Sequence, residues 1–256
     1  MFVATSVNAA SVDTTANSLT ARSAIVIDKQ TGETVFAQNE NEARSLASLT
    51  KLMSVLVFLD NNPGWSKVVT LRKTDFVGGA CLYARVGDKI KVKDAFYGAL
   101  VGSKNNLIEA LVRSTGLSQA DFVALMNERA LEWGLENTKF VEPTGLDERN
   151  VSTAREMAVI AQKAFGNMDV LKATTTKSYR LTLVNRKASF VVDNTNNKIL
   201  NRDLCVTGTK TGWTSEAGYN LVTQAKTGEH ELIALVMGAK ITRNYEEVYA
   251  LLKEHL

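Results

Sequence analysis

Residues 48–59 read Ser-Leu-Thr-Lys-Leu-Met-Ser-Val-Leu-Val-Phe-Leu. The run is too long for a strand and holds neither Gly nor Pro, so it predicts a helix. It is apolar nearly all round, which places that helix in the centre of a domain. Asp60-Asn61-Asn62-Pro63-Gly64 ends it. One charge interrupts the apolar surface: Lys51, three residues after Ser48. On a helix, positions i and i+3 share a face, with Cβ atoms roughly 5–6 Å apart.

Outward from this helix the pattern changes in both directions. Ser23 to Asp28 and Glu33 to Ala37 predict a hairpin around Lys29-Gln30-Thr31-Gly32. Downstream, Lys93–Val101, Asn106–Thr115, Ser118–Trp133 and Ser152–Phe165 carry helical patterns, two of them opened by capping residues. Ser178 to Asp193 alternates and predicts a hairpin around Asn185-Arg186. Val206–Thr211, Gly218–Lys226 and Glu231–Gly238 read as strands, and Asn244–Glu254 as a closing helix. With strands at both ends and helices between, the expected fold is α/β of the α+β type. One antiparallel sheet built from both chain ends is flanked by helices, a mainly helical lobe spans roughly residues 65–175, and a cleft lies at the seam.

The chain has 256 residues, 45% hydrophobic and 22% charged, ordinary for a globular protein with a sizeable core. Residues 23–256 are expected to form a single domain. Residues 1–22, rich in Ser, Thr, Asn and Ala, read as a loose tail. Val7-Asn8-Ala9 resembles the end of a cleavage site, so the tail is either a polar start or the remnant of an export signal; it has no basic n-region or full apolar core. Thirty basic against 27 acidic residues, net +3, is too balanced for a nucleic-acid partner. No apolar run is long enough to span a membrane.

Two residue types are scarce, and that narrows the chemistry. The histidines are His230, in a charged turn, and His255, next to the end. A histidine-rich metal site cannot be assembled from them, and neither is placed to be a buried base, so a hydrolase built on this chain needs another base. Cys81 and Cys205 form no Cys-x-x-Cys pair and read as two buried free thiols. Trp65 and Trp133 read as packing residues, and Glu246-Glu247 as a solvated helix face rather than an acid/base dyad.

Ser48 and Lys51 meet the need for a base. A serine hydroxyl is a weak nucleophile and requires a base beside it. A lysine in apolar surroundings loses proton affinity and can serve. Two further motifs follow. Ser103-Lys104-Asn105 closes a helical segment, and Lys210-Thr211-Gly212 ends a strand. Ser103 can relay a proton to a leaving amine, and Asn105 can hydrogen-bond a substrate amide and the lysine head. Lys210 adds positive charge beside Ser103, Thr211 can donate to a substrate carboxylate, and Gly212 lets a substrate backbone approach. The amides of Ser48 and Trp213 would hold an oxyanion.

The three motifs stand in the order known for penicillin-binding proteins and β-lactamases. From about residue 23 to the end the chain resembles the serine-type D-alanyl-D-alanine carboxypeptidases, the low-molecular-mass penicillin-binding proteins. The resemblance is carried by R-S-L-A-S-L-T-K-L-M around Ser48, V-G-S-K-N-N around Ser103, F-V-E-P-T-G-L-D with V-S-T-A-R-E-M-A from Phe140 to Ala158, Asn194-Thr195-Asn196, and V-T-G-T-K-T-G-W-T-S-E-A-G-Y from Val206 to Tyr219. It implies the β-lactamase/transpeptidase-like fold, an acyl-enzyme on Ser48, and peptidoglycan stem peptides ending in D-Ala-D-Ala as partners. It also implies covalent inhibition by β-lactams, no cofactor, and an extracytoplasmic location. Arg243, before the last helix, is the implied contact for the terminal carboxylate. The chain departs from the pattern at Lys104, where glycine is usual, and ends soon after the last helix, before the β-rich domain and anchor of many relatives. Endopeptidase action on cross-links, and a catalytically silent wall-binding module, stay open as alternatives. A β-lactamase is disfavoured, because no clear Glu-x-x-x-Asn deacylation motif lies between the second and third motifs.

Overall fold

The computed structural model describes residues 19–256. The elements run β1 (Ser23–Asp28), β2 (Thr34–Gln38), β3 (Arg44–Ser45), α1 (Thr50–Asp60), β4 (Val68–Thr70), β5 (Lys89–Lys91), α2 (Val92–Val101), α3 (Asn105–Ser114) and α4 (Gln119–Glu132). They continue with β6 (Val151–Ser152), α5 (Ala154–Phe165), α6 (Met168–Thr175), β7 (Ser178–Thr182), β8 (Ser189–Asp193), α7 (Asn197–Leu200), β9 (Cys205–Thr214), β10 (Gly218–Thr227), β11 (His230–Ala239) and α8 (Arg243–His255).

The strands of the two chain ends meet in one five-stranded antiparallel sheet, ordered β2-β1-β11-β10-β9. Both faces of this sheet are covered, which is why Ser23–Asp28 is a continuous apolar run instead of an alternating one. Ile25, Ile27, Val222, Ile233 and Leu235 face the helical lobe, in the same core as α1, α2, α3 and α5. Ala24, Val26, Leu221, Ala234 and Val236 face the other way, against Val248, Leu251 and Leu252 of α8. The β7–β8 hairpin stands apart as its own pair. Its tip is tied to the lobe by the Arg186–Asp88 ion pair and by Asn185 Oδ1, which accepts from the Lys89 amide.

As its composition predicts, α1 is a central helix, with Leu52, Met53, Val55, Val57 and Phe58 at most 1% exposed. Each such side chain contributes roughly 1.5–3 kcal/mol of burial. The helix begins later than its apolar pattern implies. Ala47–Leu49 form a 3₁₀ turn, and Ala47 has φ +47°. This turn is tied to the sheet by the buried Asn220, whose Nδ2 donates to the carbonyls of Ser45 and Leu46 and whose Oδ1 accepts from the Gly238 amide. Ser48 therefore stands at the mouth of α1 rather than within its first α-turn.

Three expectations need correction. Residues 1–18 of the expected tail lie outside the described residues, but residues 19–22 are docked. The Thr20 amide and hydroxyl donate to Glu247 Oε1 (2.7 and 2.6 Å), and the Ala21 amide donates to Oε2 (3.1 Å). Glu247 is accordingly buried and not part of a solvated face, while Glu246 is exposed and pairs with Arg202. Both cysteines are free, yet Cys205 is exposed and Cys81 half-buried, because Cys205 opens the edge strand β9.

Candidate active site

Three elements converge at the seam between sheet and lobe. The turn before α1 brings Ser48, the α2–α3 junction brings Ser103 and Asn105, and edge strand β9 brings Lys210, Thr211, Gly212 and Trp213. All of these but the fully buried Lys210, with Gly79 and Ala80, Gly145 and Leu146, and residues of α7 and α8, line a cleft of about 770 Å³, within the range of small-molecule sites.

Lys51 is the centre of the cluster. Its side chain is fully buried, and its Nζ donates to Ser48 Oγ (2.8 Å), Asn105 Oδ1 (2.7 Å) and the Thr144 carbonyl (2.6 Å). Burial pulls its pKa from 10.5 down to about 7, against the opposing pull of Glu142, Cys81 and Glu109. Three acceptors suit an ammonium with three N–H bonds. When one proton leaves, Asn105 Oδ1 and the Thr144 carbonyl can still only accept, so they keep the two remaining N–H bonds. The lone pair is left facing Ser48 Oγ, the one partner able to donate. The neutral amine is thus aimed at the serine hydroxyl.

Lys210, also fully buried, donates to Ser103 Oγ (2.9 Å) and to the Thr211 carbonyl (2.7 Å). Burial first, and then the charge of Lys51, hold its pKa well below the ordinary lysine value. Ser103 is held at φ +54°, a left-handed conformation that costs a non-glycine residue about 1–2 kcal/mol. With its oxygen occupied by Lys210, its own hydrogen is free to point into the cleft it lines.

Residues 8–241 match the family model described as D-alanyl-D-alanine carboxypeptidase, peptidase S11. The chain belongs to that family. It is 34% identical over 225 residues to the D-alanyl-D-alanine carboxypeptidase DacF of Bacillus subtilis, covering 86% of this chain and 57% of that protein. It is 32% identical over 225 residues to a D-alanyl-D-alanine endopeptidase of Pseudomonas aeruginosa, covering 86% and 72%. It thus spans less than two thirds of that carboxypeptidase and more of that endopeptidase. Among solved structures, a Streptomyces DD-transpeptidase variant superposes with a TM-score of 0.85 at 27% identity, covering 92% of this chain and 97% of the other. A D-alanyl-D-alanine carboxypeptidase from Mycobacterium tuberculosis superposes at 0.83 and 26% identity, covering 91% and 89%.

In this chain of the carboxypeptidase family, two glycines mark where backbones touch. A Cβ on Gly212 would stand 2.8 Å from the Leu46 carbonyl oxygen and 3.0 Å from the Ser48 amide nitrogen. A Cβ on Gly145 would stand 1.8 Å from the Ala47 carbonyl oxygen. The β9 edge and the 144–146 loop therefore clasp the serine turn from two sides. Trp213 is 59% exposed and lines the cleft near Tyr219. Thr211 also lines it, and its hydroxyl donates to Thr195 Oγ1 (2.9 Å).

Two residues singled out by sequence stand outside the lining. Lys104 precedes α3, and its stem lies near Gly102, where a Cβ would be 3.0 Å from Lys104 Cε; its charge does not enter the cleft wall. Arg243 is exposed at the start of α8, between the lining residues Thr242 and Asn244. Sequence reasoning missed Thr144, Lys198 and Tyr245. Thr144 acts through its carbonyl, which leaves no side-chain signature. Lys198 sits over the Tyr245 ring at 5.4 Å, and the Tyr245 hydroxyl donates to the Thr195 carbonyl (2.7 Å). That meeting of α7 and α8 depends on the fold.

Proposed function

We propose that this chain is a serine D,D-carboxypeptidase, removing the terminal D-Ala from peptidoglycan stem peptides through an acyl-enzyme on Ser48. The observation that carries this reading is Lys51, fully buried, 2.8 Å from Ser48 Oγ and with its pKa near 7. In acylation, Ser48 Oγ bonds to the carbonyl carbon of the penultimate D-Ala while the neutral Lys51 amine takes the hydroxyl proton. The Ser48 and Trp213 amides receive the oxyanion. The peptide C–N bond breaks as the leaving amine takes a proton through Ser103, steadied by Lys210. Water then cleaves the ester and restores Ser48. Thr211, with Arg243 swung in from the rim, would take the terminal carboxylate. Residues 23–256 would form the catalytic domain, and β-lactams would acylate the same serine. The substrate places the protein outside the cytoplasm, at the periplasm or the outer face of the membrane.

A second reading, endopeptidase action on cross-links, is supported by one observation: the chain is 32% identical over 225 residues to a D-alanyl-D-alanine endopeptidase of Pseudomonas aeruginosa, close to its 34% identity to DacF. Incubation with a fluorescent penicillin tests the common chemistry. We expect a covalent adduct that Ser48→Ala abolishes; an adduct surviving that substitution would remove Ser48 as nucleophile, and no adduct in the wild type would favour a silent wall-binding module. Digestion of purified muropeptides separates the two activities: loss of pentapeptide monomer is expected, and loss of cross-linked dimer alone would favour the endopeptidase.

A further inference from the structure

The 141–150 loop contributes no side chain to the proposed chemistry, yet its Thr144 carbonyl holds the Lys51 amine. The loop is organised by one carboxylate. Glu142 accepts from the Thr144 amide (2.7 Å), the Thr144 hydroxyl (2.5 Å), the Gly145 amide (2.5 Å), Asn150 Nδ2 (2.7 Å) and, at longer range, the Asp147 amide (3.4 Å). Only a group that accepts on both oxygens can satisfy such a set of donors, which is what an ionised carboxylate offers. Asn150 secures the other side, accepting from the Val141 amide (2.7 Å) and donating to the Glu142 carbonyl (2.9 Å) and to Thr50 Oγ1 of α1 (3.3 Å).

We propose that Glu142 is a positioning residue for Lys51: its carboxylate builds the loop that presents the Thr144 carbonyl, and supplies the main opposing charge to the amine. This rests on the reading of Lys51 as the base. Glu142 is not itself a lining residue of the cleft, which it reaches only through the backbone of Gly145.

Glu142 is the strongest of the charges favouring the Lys51 ammonium form, ahead of Cys81 from the β4–β5 loop and Glu109 from α3. Glu109 is itself pushed up to about 7, by burial, Glu142 and Asp75 against Lys51, so near neutrality it carries only part of a charge. Lys210, on β9, is the cation that Lys51 acts on: burial, and then the Lys51 charge, hold the Lys210 pKa well below the ordinary lysine value.

The experiment compares Glu142→Gln, which removes the charge but keeps the size, with Glu142→Asp, which keeps the charge and shortens the reach. Each is followed by the pH dependence of acylation with a fluorescent penicillin, and by an NMR titration of the Lys51 side chain, assigned from its loss in Lys51→Arg. In Glu142→Gln the acidic limb of acylation and the Lys51 titration are expected to move to lower pH by about one pH unit, the size of effect an adjacent opposite charge produces. The plateau rate should also fall. In Glu142→Asp the plateau should fall while the limb stays near its wild-type position. A folded Glu142→Gln protein whose limb and Lys51 titration stay at the wild-type pH overturns the proposal. If Glu142→Gln does not fold, Glu142→Asp decides: a slower plateau supports the proposal and an unchanged one overturns it. The NMR titration reads Lys51 even if the wild type acylates nothing, so failure of the catalytic reading and failure of this proposal are distinguishable.

Discussion

Replacing Gly145 by alanine tests how tightly the site is clasped. Gly145 has φ +86°, and an added Cβ would lie 1.8 Å from the Ala47 carbonyl oxygen, 2.3 Å from its carbon and 3.0 Å from the Ser48 amide nitrogen. Gly116 provides the control, since its φ is +87° but nothing lies within 4 Å of an added Cβ. Both substitutions incur the left-handed backbone penalty of about 1–2 kcal/mol. Only Gly145→Ala adds overpacking, typically about 1–3 kcal/mol, and the overlap with backbone atoms puts it at the upper end. At about 2–4 °C per kcal/mol for a domain of this size, Gly116→Ala should melt roughly 3 °C lower and Gly145→Ala roughly 10 °C lower. The chemistry should separate the two further. Relief of the overlap must move either the serine turn or the 144–146 loop, and a displacement of about 1 Å in a reacting pair costs about a hundredfold in rate. Melting followed by circular dichroism and acylation by a fluorescent penicillin give both readouts. Gly145→Ala melting together with Gly116→Ala, and acylating at the wild-type rate, would refute the argument that this loop is packed against Ala47 and holds Lys51.

The remaining predictions concern Lys51 and its partners. Because burial lowers the Lys51 pKa from 10.5 to about 7, the amine is protonated and inactive as a base below that pH and free above it. Acylation should therefore rise through about pH 7 and level off; a rise centred near pH 10 would show that Lys51 is not the base. Asn105→Ala removes one acceptor from Lys51 Nζ and the donor to the Gly78 carbonyl. It should slow acylation about a hundredfold through misplacement of the amine and lower stability by about 1–3 kcal/mol, checked by rate measurement and urea unfolding; wild-type acylation would show that Asn105 does not position Lys51.

Much of the fold was legible because its signals are local. Ser23–Asp28 is read as a strand from its own composition, and α1 from an apolar run without Gly or Pro. Elements whose stability comes from elsewhere were not legible. Strand β4 is three residues long and exists through its pairing with β5. Helix α7 has only four residues, and α6, eight residues long and capped by Asn167 Oδ1, has too short an apolar stripe to stand out. The hubs Glu142, Asn150 and Asn220 were also silent, since a buried Asn or Glu looks in sequence like any surface residue. Glu247 misled for the same reason: its partners, Thr20 and Ala21, lie more than two hundred residues away.

The sequence by itself determined the chemical parts and their order. Ser48, Lys51, Ser103, Asn105 and Lys210 were singled out from the order and approximate spacing of three motifs, and the shortage of histidine made a lysine the better candidate base. Tertiary structure decided whether those parts could work together. The pKa of Lys51 depends on its removal from water by the lobe and on the carboxylate of Glu142, and its direction depends on acceptors contributed 54 and 93 residues away. Desolvation and charge act through space, so they emerge only where separate segments are packed against one another.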